Sequence, residues 1–244
     1  MKILVSDYDK TFEVNEESVE VNKEAVRRFR EKGNIFIIAT GRSYLDIMHK
    51  LQKYNILCDY LIINHGATIL DKNNNILYNF TIDRNIITSL INDLEINKYN
   101  IKYLDYKPEK MKEKLYFCCS GLKSRVDFNN EDLTKIAVTY DDNIDVADIN
   151  NKIKIKYSLV NSYHISKKSI EIITKEINKS KAIKILIDKY NFDINLIFTI
   201  GDGYSDFEMI KDYNGYAMKN SVEELKKVAI KEVESVQELI DLIM

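Results

Sequence analysis

Short, continuous apolar runs in the first part of the chain alternate with stretches in which apolar residues recur at helical spacing. The continuous runs are residues 3–5, 34–39 and 60–63, and each has the length and composition of a buried strand. Between them we predict one helix that begins at Asn22 and another that begins at Ser43. Strand, helix, strand, helix, strand is the pattern of a doubly wound parallel sheet with right-handed crossovers.

The pattern changes after residue 67. Residues 68–70 and 76–78 predict a hairpin, and an amphipathic helix follows from about residue 83. Apolar and polar residues then alternate, which indicates strands with one solvent-exposed face, in residues 101–104, 115–118, 153–157 and 169–172. We therefore predict a separate α+β domain over residues 83–175, inserted into a core that comprises residues 1–82 and 176–244.

Continuous apolar strands return at the end of the chain. We predict strands at residues 196–200 and 215–218 and helices at 180–190, 206–211 and 233–244, with a further helix opened by a capping box at Ser221. The predicted fold class is therefore α/β, a doubly wound, Rossmann-like parallel-sheet core interrupted by an α+β insertion.

Two carboxylates, Asp7 and Asp9, follow the first predicted strand. In extended chain residues i and i+2 point the same way, so both should project at the carboxyl end of that strand, where ligands bind in open parallel sheets. A lone Asp-x-Asp is usually a solvated turn. Two like charges held together, however, need a cation beside them or a proton on one of them. A magnesium ion with a phosphoryl group would satisfy the pair.

Further candidate site residues lie at the ends of other predicted core elements. The segments are Ala39-Thr40-Gly41-Arg42, Lys179 at the start of a helix, and Gly201-Asp202-Gly203-Tyr204-Ser205-Asp206. The Thr40 hydroxyl and the Gly41 amide could hold phosphate oxygens at a helix start. Arg42 could reach phosphate or pair with a surface carboxylate. Glycine on both sides of Asp202 would let the backbone turn sharply near an ion.

Together these segments resemble, in order, the four-motif signature of the haloacid dehalogenase-like (HAD) phosphatases, and in particular the Cof-type branch, subfamily IIB. Asp7-x-Asp9-x-Thr11 matches the first motif in register. The resemblance implies a HAD core and an inserted α+β cap of the C2 type. It also implies that Asp7 is the nucleophile that forms an aspartyl phosphate and that Asp9 is the general acid and then the base.

The same resemblance implies the remaining roles. Lys179 would offset negative charge on the phosphoryl group. A Mg²⁺ site would be formed by the side chains of Asp7 and Asp202 with the Asp9 carbonyl, and Asp206 would be a ligand through water or a partner of Lys179. Phosphate binding falls to Thr40, Gly41 and Arg42.

The chain departs from the family pattern at four positions. The family often has Gly where Lys10 and Ser180 stand, Asn where Ser205 stands, and Gly where His65 follows Asn64. None of these differences removes a charged catalytic group. We expect His65 to be a solvated loop residue.

Composition narrows the function classes. Lys+Arg 36 against Asp+Glu 38 gives a net charge of −2, so no global basic field recruits nucleic acid or anionic membrane. Cys58 stands alone and Cys118-Cys119 are adjacent, which predicts neither a disulfide framework nor a zinc site. A core strand begins almost at the first residue and no run has the length of a membrane span, so we expect a cytoplasmic protein. No feature of the sequence indicates an obligate protein partner.

The sequence therefore predicts a magnesium-dependent phosphatase that acts on a small phosphorylated metabolite, such as a sugar phosphate. Two alternatives remain open at this point. A phosphomutase could use the same core, and a regulatory protein could bind a phospho-ligand without turnover. A dinucleotide-binding enzyme is excluded because no Gly-x-Gly-x-x-Gly follows the first strand.

Overall fold

The computed structural model describes residues 1–94, 101–108, 132–140 and 144–244, with residues 101–108 described as backbone. The chain forms two compact units. The first, which we call the core unit, comprises Met1–Tyr78 and Asn178–Met244, and the second, the inserted unit, comprises Asn79–Ile177.

Both units contain strands and helices. The strands are β1 (Ile3–Ser6), β2 (Ile35–Ala39), β3 (Tyr60–Ile63), β4 (Thr68–Asp71), β5 (Ile76–Asn79), β6 (Ile101–Pro108), β7 (Leu133–Tyr140), β8 (Val160–Ser166), β9 (Ser169–Thr174), β10 (Ile197–Gly201), β11 (Asn214–Met218) and β12 (Lys231–Val233). The helices are α1 (Glu16–Glu31), α2 (Tyr44–Tyr54), α3 (Arg84–Asp93), α4 (Val146–Lys156), α5 (Lys179–Tyr190), α6 (Phe207–Asp212), α7 (Glu223–Lys226) and α8 (Val236–Ile243).

The core sheet has the strand order β12-β11-β10-β1-β2-β3-β4-β5. Strands β12 to β3 in this order run parallel, and β4 is antiparallel to β3. All four residues of β1 are buried, as the continuous apolar run predicts for a central strand. Ser6 pairs with Ile38 of β2 and with Ile200 of β10, so these three strands end at one level. That register brings the residues after β1, β2 and β10 to the same edge of the sheet.

The inserted unit contains an antiparallel sheet with the order β6-β7-β9-β8. One apolar core joins α3 and α4 to this sheet, with Ile87, Leu90, Ile136 and Val138 fully buried. The strand predicted at residues 153–157 is wrong, because α4 continues to Lys156. Asp145 caps this helix, and Val146, Ile149 and Ile153 are buried at helical spacing. The strand predicted at residues 115–118 lies outside the described residues.

Three predicted helix starts or ends differ in the structure. Asn15, not Asn22, caps α1 through a capping box with Ser18. Asn22 is buried inside α1. Its side-chain Nδ2 donates to the Phe12 carbonyl, and its side-chain Oδ1 accepts from the Gln237 backbone amide. Val222 rather than Ser221 precedes α7. The last predicted helix begins three residues later than expected, at Val236, because Val233 belongs to β12.

Of the three cysteines, Cys58 alone lies within the described residues. Cys58 is half-buried and free, and burial raises the pKa of its thiol to about 12. Cys118 and Cys119 lie outside the described residues. Among the helices of the described residues, none combines the length and the apolar character that crossing a membrane requires.

Candidate active site

Asp7 follows directly after β1, and only 6% of the residue is exposed. Its amide donates to the Ile200 carbonyl at 3.0 Å, which continues the pairing of β1 with β10 by one residue. The side chain is therefore held at the carboxyl edge of the sheet. Burial raises the pKa of Asp7 well above its ordinary value, and the nearby Asp206 and Asp202 carboxylates raise it further, while Lys179 opposes the shift.

Lys179 is the first residue of α5, and only 1% of it is exposed. Its Nζ lies 2.6 Å from Asp7 Oδ1 and 2.6 Å from Asp206 Oδ1. Burial alone would lower the pKa of this ammonium group, but the two carboxylates outweigh burial and raise it. Lys179 is thus a buried cation shared by two carboxylates. It is not one of the solvated lysines that dominate this sequence.

Asp206 is fixed on both of its oxygens. Oδ1 accepts from Lys179, and Oδ2 accepts from the amides of Asp202 and Gly203 at 3.1 and 3.0 Å. A Cβ on residue 201 would lie 2.6 Å from Asp206, so the glycine before Asp202 is required by space and not by a left-handed backbone. Asp206 therefore positions Lys179 and the Asp202 loop.

Asp202 stands at the carboxyl end of β10 and accepts a hydrogen bond from the Thr11 hydroxyl at 2.9 Å. Asp7, Asp202 and Asp206 each offer a carboxylate oxygen, and the three oxygens lie within 4.8 Å of one another. Hard carboxylate oxygens are the ligands that Mg²⁺ prefers. The donor set fits magnesium best at Asp7 and Asp202, because both oxygens of Asp206 already have protein partners.

The acidic cluster predicts a pH dependence of metal binding. Burial raises the pKa of Asp202 to about 6, with Asp206 adding to the shift and the Thr11 hydrogen bond opposing it. Since a proton and a cation compete for the same oxygens, Mg²⁺ affinity should weaken as the pH falls below this value, by about tenfold for each pH unit. The chain contains no Trp, so isothermal calorimetry between pH 5 and 8 is the suitable measurement. An affinity that is constant over this range would show that Asp202 does not bind the metal.

Asp9 does not join the acidic cluster with its side chain. Its two carboxylate oxygens accept from Nε and Nη2 of Arg42 at 2.8 and 2.6 Å, and the Arg42 guanidinium lies 5.7 Å from the centre of the buried Tyr8 ring. Of the two roles that the sequence allows for Arg42, the structure shows the ion pair with a carboxylate. The predicted contact of Arg42 with phosphate stays a prediction, as does the Asp9 carbonyl as a metal ligand.

Thr40 is fully buried after β2, and its hydroxyl oxygen accepts from the Arg42 amide at 3.1 Å. The residue pair after β3 folds back onto this turn, because the His65 amide donates to the Thr40 carbonyl at 3.0 Å. His65 is 3% exposed, so the expectation of a solvated histidine is wrong. Its ring occupies the space beside Gly41, where a Cβ would come within 2.3 Å of Cε1.

Lys10 and Ser180 are accommodated without displacing the site. Lys10 has φ +59, in the left-handed region where glycine is favoured, and its backbone is held by bonds to the Glu13 carbonyl and from the Asn220 side chain. The Ser180 hydroxyl donates to Asp212 at 2.6 Å, which ties the start of α5 to the end of α6. Ser205 lies in a 3₁₀ turn, Tyr204–Asp206, that leads into α6.

Contacts between residues far apart in the chain complete parts of the site that no local pattern indicates. Thr11 was recognised as part of a motif, but its hydrogen bond to Asp202 joins residues 191 positions apart. Asn64 directly follows β3 and lies at the same edge of the sheet as Asp7 and Thr40, but the family motifs do not include it. The signal that could have found it is its position: Asn tolerates the left-handed backbone, and a polar residue directly after a buried strand lies at the ligand-binding edge.

The fold is α/β, and its parallel sheet brings the carboxylates of Asp7, Asp202 and Asp206 together at one edge. The profile of the haloacid dehalogenase-like hydrolase family matches residues 4–239, and the chain belongs to that family. The match covers nearly the whole chain, including both parts of the core unit.

Comparison with individual proteins gives the same family. A protein of Mycoplasma capricolum subsp. capricolum is 29% identical over 241 residues, which cover 90% of this chain and 91% of that protein. The 5-amino-6-(5-phospho-D-ribitylamino)uracil phosphatase YcsE of Bacillus subtilis is 25% identical, with coverage of 94% and 88%. In fold, the chain is similar to a haloacid dehalogenase-like hydrolase from B. subtilis with a TM-score of 0.81, 18% identity and complete coverage of both chains.

These comparisons confirm the family, the α/β fold class and the enzyme class, a phosphatase. The roles of individual site residues and the role of the inserted unit as a cap stay predictions.

Proposed function

We propose that the protein is a magnesium-dependent phosphohydrolase that removes phosphate from a small phosphorylated metabolite through a phosphorylated Asp7. One observation carries the proposal: the buried Asp7 carboxylate shares the Lys179 ammonium with Asp206, within reach of Asp202. A nucleophilic carboxylate, a fixed cation and a further carboxylate for a metal are the groups that phosphoryl transfer requires.

In the first half of the reaction an Asp7 oxygen attacks phosphorus, and the bond from phosphorus to the ester oxygen breaks. The carboxylic acid of Asp9 gives its proton to the leaving oxygen, so an alcohol departs and an aspartyl phosphate remains on Asp7. Lys179 is already in contact with Asp7 and offsets the negative charge that the phosphoryl group brings to this buried position.

In the second half a water molecule attacks phosphorus of the aspartyl phosphate. The Asp9 carboxylate takes a proton from this water, inorganic phosphate leaves, and the Asp7 carboxylate is restored. In the structure both oxygens of Asp9 accept from Arg42, so this ion pair must open before Asp9 can carry a proton and transfer it. The Thr40 hydroxyl and the Gly41 amide bind the phosphoryl oxygens at the end of β2.

Asp7 and Asp202 would hold Mg²⁺ through their side chains, with Asp206 ordering both through Lys179 and the Asp202 amide. When bound, Mg²⁺ neutralises charge on the phosphoryl oxygens and on the attacking carboxylate.

A small phosphorylated metabolite is the proposed substrate class. The net charge of −2 provides no field for a polyanion. The relative YcsE is named for a substrate with a phosphorylated ribityl group, which supports a sugar phosphate or sugar-alcohol phosphate here. The inserted unit is proposed to be the cap that selects among such substrates.

Incubation of the purified protein with a panel of small phosphate esters, with and without magnesium, tests the proposal. Release of inorganic phosphate supports it. An isomerised phosphate ester without phosphate release would identify a phosphomutase, and binding without any chemical change would identify a phospho-ligand-binding protein.

Removal of the metal should abolish turnover. Excess chelator should stop turnover and added Mg²⁺ should restore it, since only the metal offsets the remaining charge of the acidic cluster. Ca²⁺ should bind but support little reaction, because its coordination shell is larger and less rigid. The Asp202→Ala variant should be inactive or need far more Mg²⁺ than the wild type. Turnover at the full rate in excess chelator would remove the metal from the mechanism.

A further inference from the structure

The side chain of Asn64 is buried inside the core unit and is unpaired among the residues that the structure describes. Asn64 follows β3, has a left-handed backbone with φ +51 and is 0% exposed. Neither Nδ2 nor Oδ1 has a hydrogen-bond partner among the described residues. A buried polar group without a partner is energetically unfavourable and rare in folded proteins, so it calls for a physical reason.

The surroundings of Asn64 supply that reason. Its amide donates to the Arg42 carbonyl at 2.9 Å, which fixes it beside the turn that carries Thr40. Two residues later, Gly66 has φ +109 and packs on the start of α5, where a Cβ would lie 2.4 Å from the Asn178 carbonyl oxygen and 3.0 Å from the Lys179 nitrogen. The loop of residues 64–66 therefore lies between the Thr40 turn and the helix start that carries Lys179.

This position matters because both neighbours of the loop belong to the proposed phosphate site. Lys179 contacts Asp7 at 2.6 Å, and Thr40 ends the strand beside β1. A phosphoryl group bound at Asp7 carries oxygens that only accept hydrogen bonds. The Asn64 Nδ2 is a buried donor with no acceptor among the described residues.

We propose that Asn64 is a substrate-binding residue whose Nδ2 donates a hydrogen bond to an oxygen of the phosphoryl group. The inference rests on the proposed phosphatase function and adds to it a neutral donor in the anion site, supplied by β3. The part of the energetic penalty that comes from the unpaired Nδ2 donor is removed when the phosphoryl group binds, so this donor contributes to affinity for phosphate more than to stability of the free protein.

Inorganic phosphate is the probe, and its affinity is measured by calorimetry in the presence of Mg²⁺. Asn64→Gly removes the amide and keeps the left-handed backbone available. We expect phosphate to bind this variant about tenfold or more weakly, since a hydrogen bond to a charged group is lost. Asn64→Asp keeps the shape of the side chain but opposes phosphate with a carboxylate, so its affinity should be weaker still.

Asn55→Gly is the matched control, because Asn55 is an exposed asparagine with φ +52 at the end of α2. It should bind phosphate as the wild type does. Thermal unfolding should show Asn64→Gly folded, with a stability close to that of Asn55→Gly.

The outcomes separate the inference from the proposed function. Equal phosphate affinity of wild type, Asn64→Gly and Asn64→Asp would overturn the inference and show that the amide serves a water molecule only. Weaker binding in both Asn64 variants, with Asn55→Gly unchanged, supports it. A wild type that neither binds phosphate nor hydrolyses any ester would overturn the proposed function itself, and the inference with it.

Discussion

Asp7→Asn is expected to reduce the turnover number by about 10⁴-fold or more, the range found when a nucleophile is removed from a catalytic unit. The amide of Asn is a poor nucleophile, so no aspartyl phosphate can form. Steady-state hydrolysis of the best ester in the panel measures the loss. Acid quenching of the wild type during turnover, followed by mass spectrometry of the peptide that contains residue 7, should detect the phosphorylated aspartate directly.

The fold of Asp7→Asn should be as stable as the wild type or more stable. Burial and the neighbouring carboxylates raise the pKa of Asp7, which means that the folded protein favours the neutral form over the charged one. A neutral isostere removes that cost, and Lys179 keeps Asp206 as a partner. An Asp7→Asn protein that hydrolyses the ester near the wild-type rate would refute the assignment of the nucleophile.

Lys179→Met is expected to lose both activity and stability. The substitution leaves two buried carboxylates, Asp7 and Asp206, without the cation that lies 2.6 Å from each. Breaking a buried ion pair by removing one partner costs about 3–5 kcal/mol. Denaturant unfolding in the presence of chelator, at neutral pH, measures this loss without compensation by a metal.

The stability defect should shrink as the pH is lowered. Burial and the neighbouring carboxylates raise the pKa of Asp7 above its ordinary value of 3.8, and loss of Lys179, which opposes that shift, should raise it further. A carboxyl group of this kind stabilises the fold as the pH falls through its raised pKa and loses that contribution as the pH rises. A defect that is independent of pH would argue that lost packing, and not charge, explains the effect.

Lys184→Met is the matched control on the same helix. Lys184 forms an ion pair with Asp188, four residues further along the helix, and both side chains are more than half exposed. Exposed pairs of this kind contribute about 0.3–0.5 kcal/mol. A loss as large in Lys184→Met as in Lys179→Met would contradict the buried role of Lys179.

Local patterns in the sequence predicted several elements of the core unit correctly. Continuous apolar runs located β1, β2, β3, β10 and β11, because strands buried on both faces need apolar residues at every position. The spacing of motif residues after these strands indicated the family. The alternation of Lys and Ile at residues 153–157 did not distinguish a strand from the end of helix α4, where Ile153 is buried and Ile155 is exposed. Periodicity over so few residues fits both structures.

Which polar side chains contact one another depends on the tertiary structure. The sequence could not distinguish Lys179 from its lysine neighbours by charge or propensity, since burial between Asp7 and Asp206 depends on residues up to 172 positions away. The sequence also did not indicate which carboxylate Arg42 pairs with, that His65 is buried against Gly41, or that the buried Asn64 side chain has no partner among the described residues. These features arise because the parallel strands end at one edge, and only the register of the folded sheet fixes which strand ends are neighbours.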